Sequence, residues 1–534
     1  MELHKHRRVL TAVAGFALAS VLAPAAQAFA SPGPAAEPKG RPTVANQHAK
    51  WRFDASATSL DSVSAIVGAD RLRTTGVDGR GVGVALVDTG VVPVDGLRQA
   101  RVVAGPDLSL ESPDANLRNL DTYGHGTHLG GIIAGTPERD GSGFGGIAPG
   151  ASLTSVKVGA AAGIVDVTQV MAAVDWVVAH RNDDPAHPIR VLNLSYGTAS
   201  TQDYRLDPLT HAVENAWRAG IVVVVAAGNG GTAASALADP ATDPYVIAVG
   251  AANSGGTVRT DDDTVADFSS RGSATRGVDL VAPGQSIVSL RNPGSYIDAE
   301  YPGARVGDKY FKGSGTSQAA AVVSGAVALL LQKRPELTPD QVKALLTATA
   351  AKLPGADPAS AGAGELNVAA AATRRPHQSR QTWAPSTGLG SVEAARGTAH
   401  IELDGVALTG EVSPFGPLDT AAWATASRDG TAWNGGRWMG YQLLAAGPVG
   451  NPAGTSDWSG LSWSGLSWSG LSWSGLSWSG LSWSGLSWSG LSWSGLSWSG
   501  LSWSGLSWSG LSWSGLSWSG LSWSGSAWVA SSWS

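Results

Sequence analysis

Ile221-Val222-Val223-Val224-Val225-Ala226-Ala227-Gly228-Asn229 is the stretch that decides the fold. Ile221 to Ala227 is apolar at every position, and the first five side chains are β-branched. A strand with one solvated face would alternate polar and apolar residues, so this run is predicted to be buried on both faces. Gly83-Val84-Ala85-Leu86-Val87, Val191-Leu192-Asn193-Leu194 and Val246-Ile247-Ala248-Val249 read as further strands. Between them, Val167 to His180 and Leu209 to Ala219 carry helical patterns. Strands alternating with helices imply an α/β fold, a parallel sheet with helices on both faces. The pattern runs from about Leu60 to Thr373.

In such sheets, sites form beyond the carboxyl ends of the strands. Four motifs bear on that position. Val87-Asp88-Thr89-Gly90 ends one strand, and Ala226-Ala227-Gly228-Asn229 ends another. Gly124-His125-Gly126-Thr127-His128 lies between them, and Gly313-Ser314-Gly315-Thr316-Ser317 opens a long apolar helical run to Leu331. Glycines beside these residues allow close backbone approach. A serine at a helix start lies where N–H groups and the helix dipole favour negative charge. A lone Asp or Ser in a Gly-rich turn is more often a turn former than a catalyst. Four such motifs in one order outweigh that reading.

Their order, Asp, His, Ser, resembles that of the subtilisin-like serine proteases, or subtilases, and differs from the chymotrypsin and α/β-hydrolase orders. Phe268-Ser269-Ser270-Arg271-Gly272 and Val281-Ala282-Pro283-Gly284 are also similar to this family. The resemblance implies a subtilisin-like fold and a serine endopeptidase. It implies Ser317 as nucleophile, His125 as general base and acid, Asp88 as the group orienting the imidazole, and Asn229 as an oxyanion donor. It further implies that Ser195, Tyr196 and Gly197 pair with the substrate backbone. Ala226, Ala227 and Gly228 would then form the opposite wall of the first specificity pocket, roomy enough for a large apolar residue. His128 takes a structural role in the family. Two positions depart from it: Gln318 stands where the family usually has Met, and Ala321 where it has Pro.

The family chemistry requires no cofactor. A structural calcium is common in it, but the metal ligands here are unknown. Asp261-Asp262-Asp263 reads first as a solvated loop and second as a calcium site. With no cysteine, the chain has no disulfide, Cys-ligated zinc or Cys nucleophile. A net charge of -6 without clustered Lys and Arg excludes a nucleic-acid partner.

Lys5, Arg7 and Arg8, the apolar run Val9 to Ala23, and Ala26-Gln27-Ala28 read as a secretory signal over residues 1–28. Arg7-Arg8 leaves the twin-arginine and general routes both open. Residues 29–57 read as a short leader, 58–373 as the catalytic domain, and 374–454 as a linker or small β module. No second long apolar stretch follows the signal, so a soluble, extracellular protein without a transmembrane anchor is expected.

Residues 455–534 repeat Leu-Ser-Trp-Ser-Gly, with fourteen tryptophans in step from Trp458 to Trp523. No charged residue follows Asp457. One reading is a flexible chain of aromatics spaced by Ser and Gly, the other a five-residue β-solenoid. Either could serve self-association, or attachment to a cell wall or polysaccharide. Two functions are therefore carried: a secreted endopeptidase acting on polypeptides, and a surface-adhesion or matrix protein whose Trp-rich tail does the main work.

Overall fold

The computed structural model describes residues 59–442, apart from 98–100, 138–144, 235, 274, 377–378, 399 and 404–405, and a series of three-residue strands between 462 and 524. The expected signal peptide and leader lie outside the described residues.

Eight strands form the central sheet: Gly83–Asp88 (β1), Arg101–Asp107 (β2), Ser152–Lys157 (β3), Ile189–Leu194 (β4), Val222–Ala226 (β5), Ile247–Asn253 (β6), Thr264–Val265 (β7) and Leu280–Pro283 (β8). Their order is β2-β3-β1-β4-β5-β6-β7, with β8 also on β6. All pairings are parallel except β6 with β7. Every residue of β1 and β5 is buried, as helices on both faces require. The chain winds one way from β1 through β3 and the other way from β4. A crevice therefore opens beyond the carboxyl ends of β1 and β4.

The helices are Leu60–Val67 (α1), Ala69–Arg73 (α2), His125–Ala134 (α3), Val167–His180 (α4), Pro208–Arg218 (α5), Tyr296–Glu300 (α6), Thr316–Lys333 (α7), Pro339–Thr349 (α8), Pro358–Ala361 (α9), Val368–Thr373 (α10), Val392–Arg396 (α11) and Thr420–Arg428 (α12). The chain's own caps set their starts. Ser59 accepts from Ser62 N–H at α1, Asp166 forms a capping box with Gln169 at α4, and Asp207 precedes Pro208 at α5. Helices α3 and α7 pack on each other, as do α4 and α5. Thr316 to Leu331 of α7 are all buried, so this helix is enclosed by the fold on every side.

Residues 383–442 pack on α4 and α5 and share the main hydrophobic core through Val392, Leu418, Trp423 and Trp438. Within the stretch read as a linker or small β module, Glu402–Leu403 pairs antiparallel with Val406–Ala407. Two helices and two more small antiparallel sheets accompany it. The Asp175 carboxylate accepts from the indoles of Trp423 and Trp438, both at 2.8 Å, and from Ser427 Oγ at 2.5 Å.

In the repeat tail, thirteen Ser-Trp-Ser strands run from Ser462–Ser464 to Ser522–Ser524. Each pairs in parallel and in register with the strand four repeats on, as Ser462–Ser464 does with Ser482–Ser484. Paired strands therefore lie twenty residues apart in sequence.

Candidate active site

Asp88 is the last residue of β1, with its side chain only 4% exposed. His125 starts α3 and brings Nδ1 to 2.8 Å from Asp88 Oδ1 and 3.1 Å from Oδ2. The approach depends on Gly126, where a Cβ would sit 2.0 Å from the Gly90 carbonyl oxygen. Thr89 N–H also donates to Asp88 Oδ1, at 2.8 Å. Burial opposes the charged imidazole. The Asp88 charge and hydrogen bond, with Asp121 behind them, outweigh it and raise the His125 pKa above its usual value.

Asp121 was not singled out in the sequence. It is buried and accepts from Thr89 Oγ1 at 2.7 Å, Gly124 N at 2.6 Å and Thr127 N at 2.8 Å. It therefore holds the end of β1 and the start of α3 together. Burial raises its pKa despite those three bonds. The one signal was its place four residues before His125, and an Asp in a loop ordinarily reads as a turn former.

Ser317 is the second residue of α7, where helix N–H groups lack intrahelical partners. Its neighbour Thr316, also missed, ties it to Asn229. Asn229 Oδ1 accepts from Thr316 N at 2.9 Å and from Thr316 Oγ1 at 3.0 Å. Gly228 N donates back to Thr316 Oγ1 at 3.1 Å. With Oδ1 held inward, exposed Asn229 has its Nδ2 donor as the remaining end of the amide. Gly228 takes φ +102, and a Cβ there would meet Ala238 Cβ at 3.1 Å. A Cβ on Gly197 would meet the same methyl at 2.8 Å. Ala238 thus lies between the two strands expected to flank a substrate. Ala226 and Ala227 are buried behind Gly228.

Ser195 Oγ accepts from Asn193 Nδ2 at 3.0 Å and donates to the Ser317 carbonyl at 3.4 Å. Asn193 Oδ1 in turn accepts from Ser324 Oγ at 2.9 Å. The segment Ser195-Tyr196-Gly197 is therefore tied to the serine helix. Gln318 is 5% exposed and folds back beside Gly313 and Gly315. His128, one turn along α3 from His125, is buried edge-on to Phe311. Burial and the nearby His125 charge push its pKa down to about 3.

Asp261 and Asp262 are exposed, bonded to Arg259 and Thr257 respectively. Asp263 departs from the solvated reading, being 3% exposed beside buried Glu365. Burial and that neighbour push the Glu365 pKa up to about 10. Among the described residues no three His, Asp, Glu or Cys side chains gather in a metal-binding arrangement. Nor is any described helix long and apolar enough to cross a membrane.

Comparison with known proteins supplies the rest. A family model described as "Subtilase family" matches residues 79–370. Serine protease AprX of Bacillus subtilis (strain 168) is 42% identical over 295 residues, which span 54% of this chain and 66% of AprX. Subtilisin DY of Bacillus licheniformis is 34% identical over 310 residues, 58% of this chain and 96% of that protein. The crystal structure of fervidolysin from Fervidobacterium pennivorans is similar at 31% identity and a TM-score of 0.47, covering 60% of this chain and 46% of that one.

Proposed function

The chain belongs to the subtilase family, whose members here are serine endopeptidases, and on that premise we propose that it is exported and cleaves polypeptides through an acyl-enzyme on Ser317. Ser317 Oγ attacks the scissile carbonyl carbon while His125 takes its proton. The charge gathering on the carbonyl oxygen is met by Asn229 Nδ2 and the Ser317 N–H. Collapse expels the amine, which receives the proton from His125. Water, activated by the same histidine, then hydrolyses the ester. Asp88 fixes the ring so that Nδ1–H points to the carboxylate and Nε2 is left to act.

The observation carrying this reading is the buried 2.8 Å bond between Asp88 and His125 at the carboxyl end of β1. Its complement is the Thr316 lock that sets Asn229 beside Ser317. A cleft walled by Ser195-Tyr196-Gly197 and Ala226-Ala227-Gly228 suits an extended peptide bound as an added strand. Export rests on the basic start, apolar run and Ala26-Gln27-Ala28 exit of the first 28 residues.

The test is casein hydrolysis by the purified protein beside a Ser317→Ala variant and a serine-reactive phosphonate. Activity should disappear in both controls. Hydrolysis that survives Ser317→Ala would remove the proposed nucleophile.

A further inference from the structure

The segment between β4 and α5 begins with Ser195, Tyr196 and Gly197, the residues assigned above to the substrate backbone. At its start it is tied to α7 through Ser195. Beyond Gly197 it is held from a different quarter, the chain after residue 383. Thr198 Oγ1 donates to the Ala395 carbonyl at 2.6 Å. Gln202 Nε2 donates to the Ser391 carbonyl at 3.3 Å, and Ser391 N donates back to Gln202 Oε1 at 2.9 Å. Gly390 N donates to the Leu206 carbonyl at 2.7 Å and Thr387 N to that of Arg205 at 2.8 Å. Gly397, at φ +64, lies so close that a Cβ would stand 2.6 Å from the Ala199 carbonyl carbon.

This clamp is itself anchored. Arg396 is fully buried and pairs with the equally buried Asp166 at 2.6 Å. Its other nitrogens reach the Gly410 and Val412 carbonyls and Glu393. Asp166 caps α4, whose buried Asp175 holds Trp423 and Trp438. Breaking the buried Arg396–Asp166 pair would strand an uncompensated charge, so the clamp has a rigid base. On its far side, Thr198 also pairs through both backbone groups with Asp239, at 2.9 and 3.0 Å. Asp239 directly follows Ala238, the residue between the two walls of the cleft.

We propose that α11, with Thr198 and Arg396 as positioning residues, sets the place of the Ser195–Gly197 substrate strand, so that the C-terminal segment governs recognition of extended peptides. The inference rests on the proteolytic reading above. The clamp does not touch Asp88, His125 or Asn229, so it bears on substrate register and not on the reactivity of Ser317. Small misplacements of a positioning strand lower the rate by up to about a hundredfold.

Thr198→Val keeps the shape and removes one hydroxyl, whereas Thr198→Ser restores the donor. Three rates are compared in the full-length protein: phosphorylation of Ser317 by a small organophosphate, hydrolysis of a single-residue ester, and hydrolysis of a four-residue peptide anilide ending in Phe. In Thr198→Val the first two should stay within about twofold, while kcat/KM for the anilide falls at least about tenfold, mostly through KM. Thr198→Ser should recover most of the loss. Arg396→Gln should show the same split more strongly where it folds. Equal loss in all three assays, or no loss in any, would overturn the proposal. An intact protein whose Ser317 is not labelled and which cleaves neither substrate would remove the proteolytic reading, and this one with it.

Discussion

At the scale of single residues, the site is a matter of which atoms are held and which are left over. Asn229 has its oxygen held by Thr316, and in the proposed mechanism its nitrogen is the group offered to a developing oxyanion. Asn229→Leu should lower kcat by about 10²–10³ with little change in KM, a magnitude carried over from subtilisins themselves. Single-turnover kinetics would check it, and an unchanged kcat would remove Asn229 from the role. His125 works as a base only when neutral, and its pKa is raised. Activity should therefore be lost as pH falls through a value above the ordinary histidine value of about 6.5. In Asp88→Asn the charge that raises it is gone and burial remains. The acidic limb of kcat/KM should then move to lower pH, with a rate loss of ~10⁴. A limb at or below pH 6 in the unmodified enzyme would contradict this. Asp88, His125 and Ser317 were readable because each stands in a Gly-bounded motif. Asp121 and Thr316 were not, because what they do is hold neighbouring backbone and the Asn229 amide, and no residue type or spacing announces that.

At the scale of elements, the legible ones were those with a single environment. Val222–Ala226 is buried on both faces and α4 matches its expected span, Val167–His180, because Asp166 caps it. Strand β3 was not anticipated, since Ser152, Thr154 and Ser155 break its apolar run, nor was β2, which contains Gly105 and Pro106. The C-terminal elements hid for a different reason: their contacts lie with α4 and α5, more than 170 residues away in sequence for pairs such as His211 with Ser386. Asp175 shows the energetic side. Burial raises its pKa to about 6, against the bonds from Ser427, Trp438 and Trp423. The folded state therefore binds this proton more tightly than the unfolded state does. Stability from Asp175 is full below about pH 4 and is lost as pH rises to about 6, on the order of 3 kcal/mol in all. Asp175→Asn can keep both indole bonds and reverse the one to Ser427. Its melting temperature relative to the parent should rise between pH 4 and pH 7. A difference that stays flat over that range would show that Asp175 does not titrate there.

At the scale of the whole molecule, the described chain after residue 383 is structurally part of the catalytic body, sharing its core through Val392, Leu418, Trp423 and Trp438. A stop after Gln442 should leave casein hydrolysis and melting temperature close to those of the full chain. A stop after Thr373 should remove Arg396 from Asp166 and the two indoles from Asp175, giving a poorly soluble protein of much lower activity. A chain ending at Thr373 with normal kcat/KM and melting temperature would show the later segment to be dispensable. The sheet order β2-β3-β1-β4-β5-β6-β7 adds a consequence in time. β1 is an early strand, yet Asp88 at its end must wait for Ser317, and the substrate strand must wait for Ala395 and Arg396. A chain that emerges from its N-terminus, at about 5–20 residues per second during synthesis, holds all its early pieces before it has a blade. Non-local strand pairing is slow to form as well. The late places of Ser317, Ala395 and Arg396 along the chain thus act as a delay, and a protease built this way comes to life only after its maker has let go of most of it.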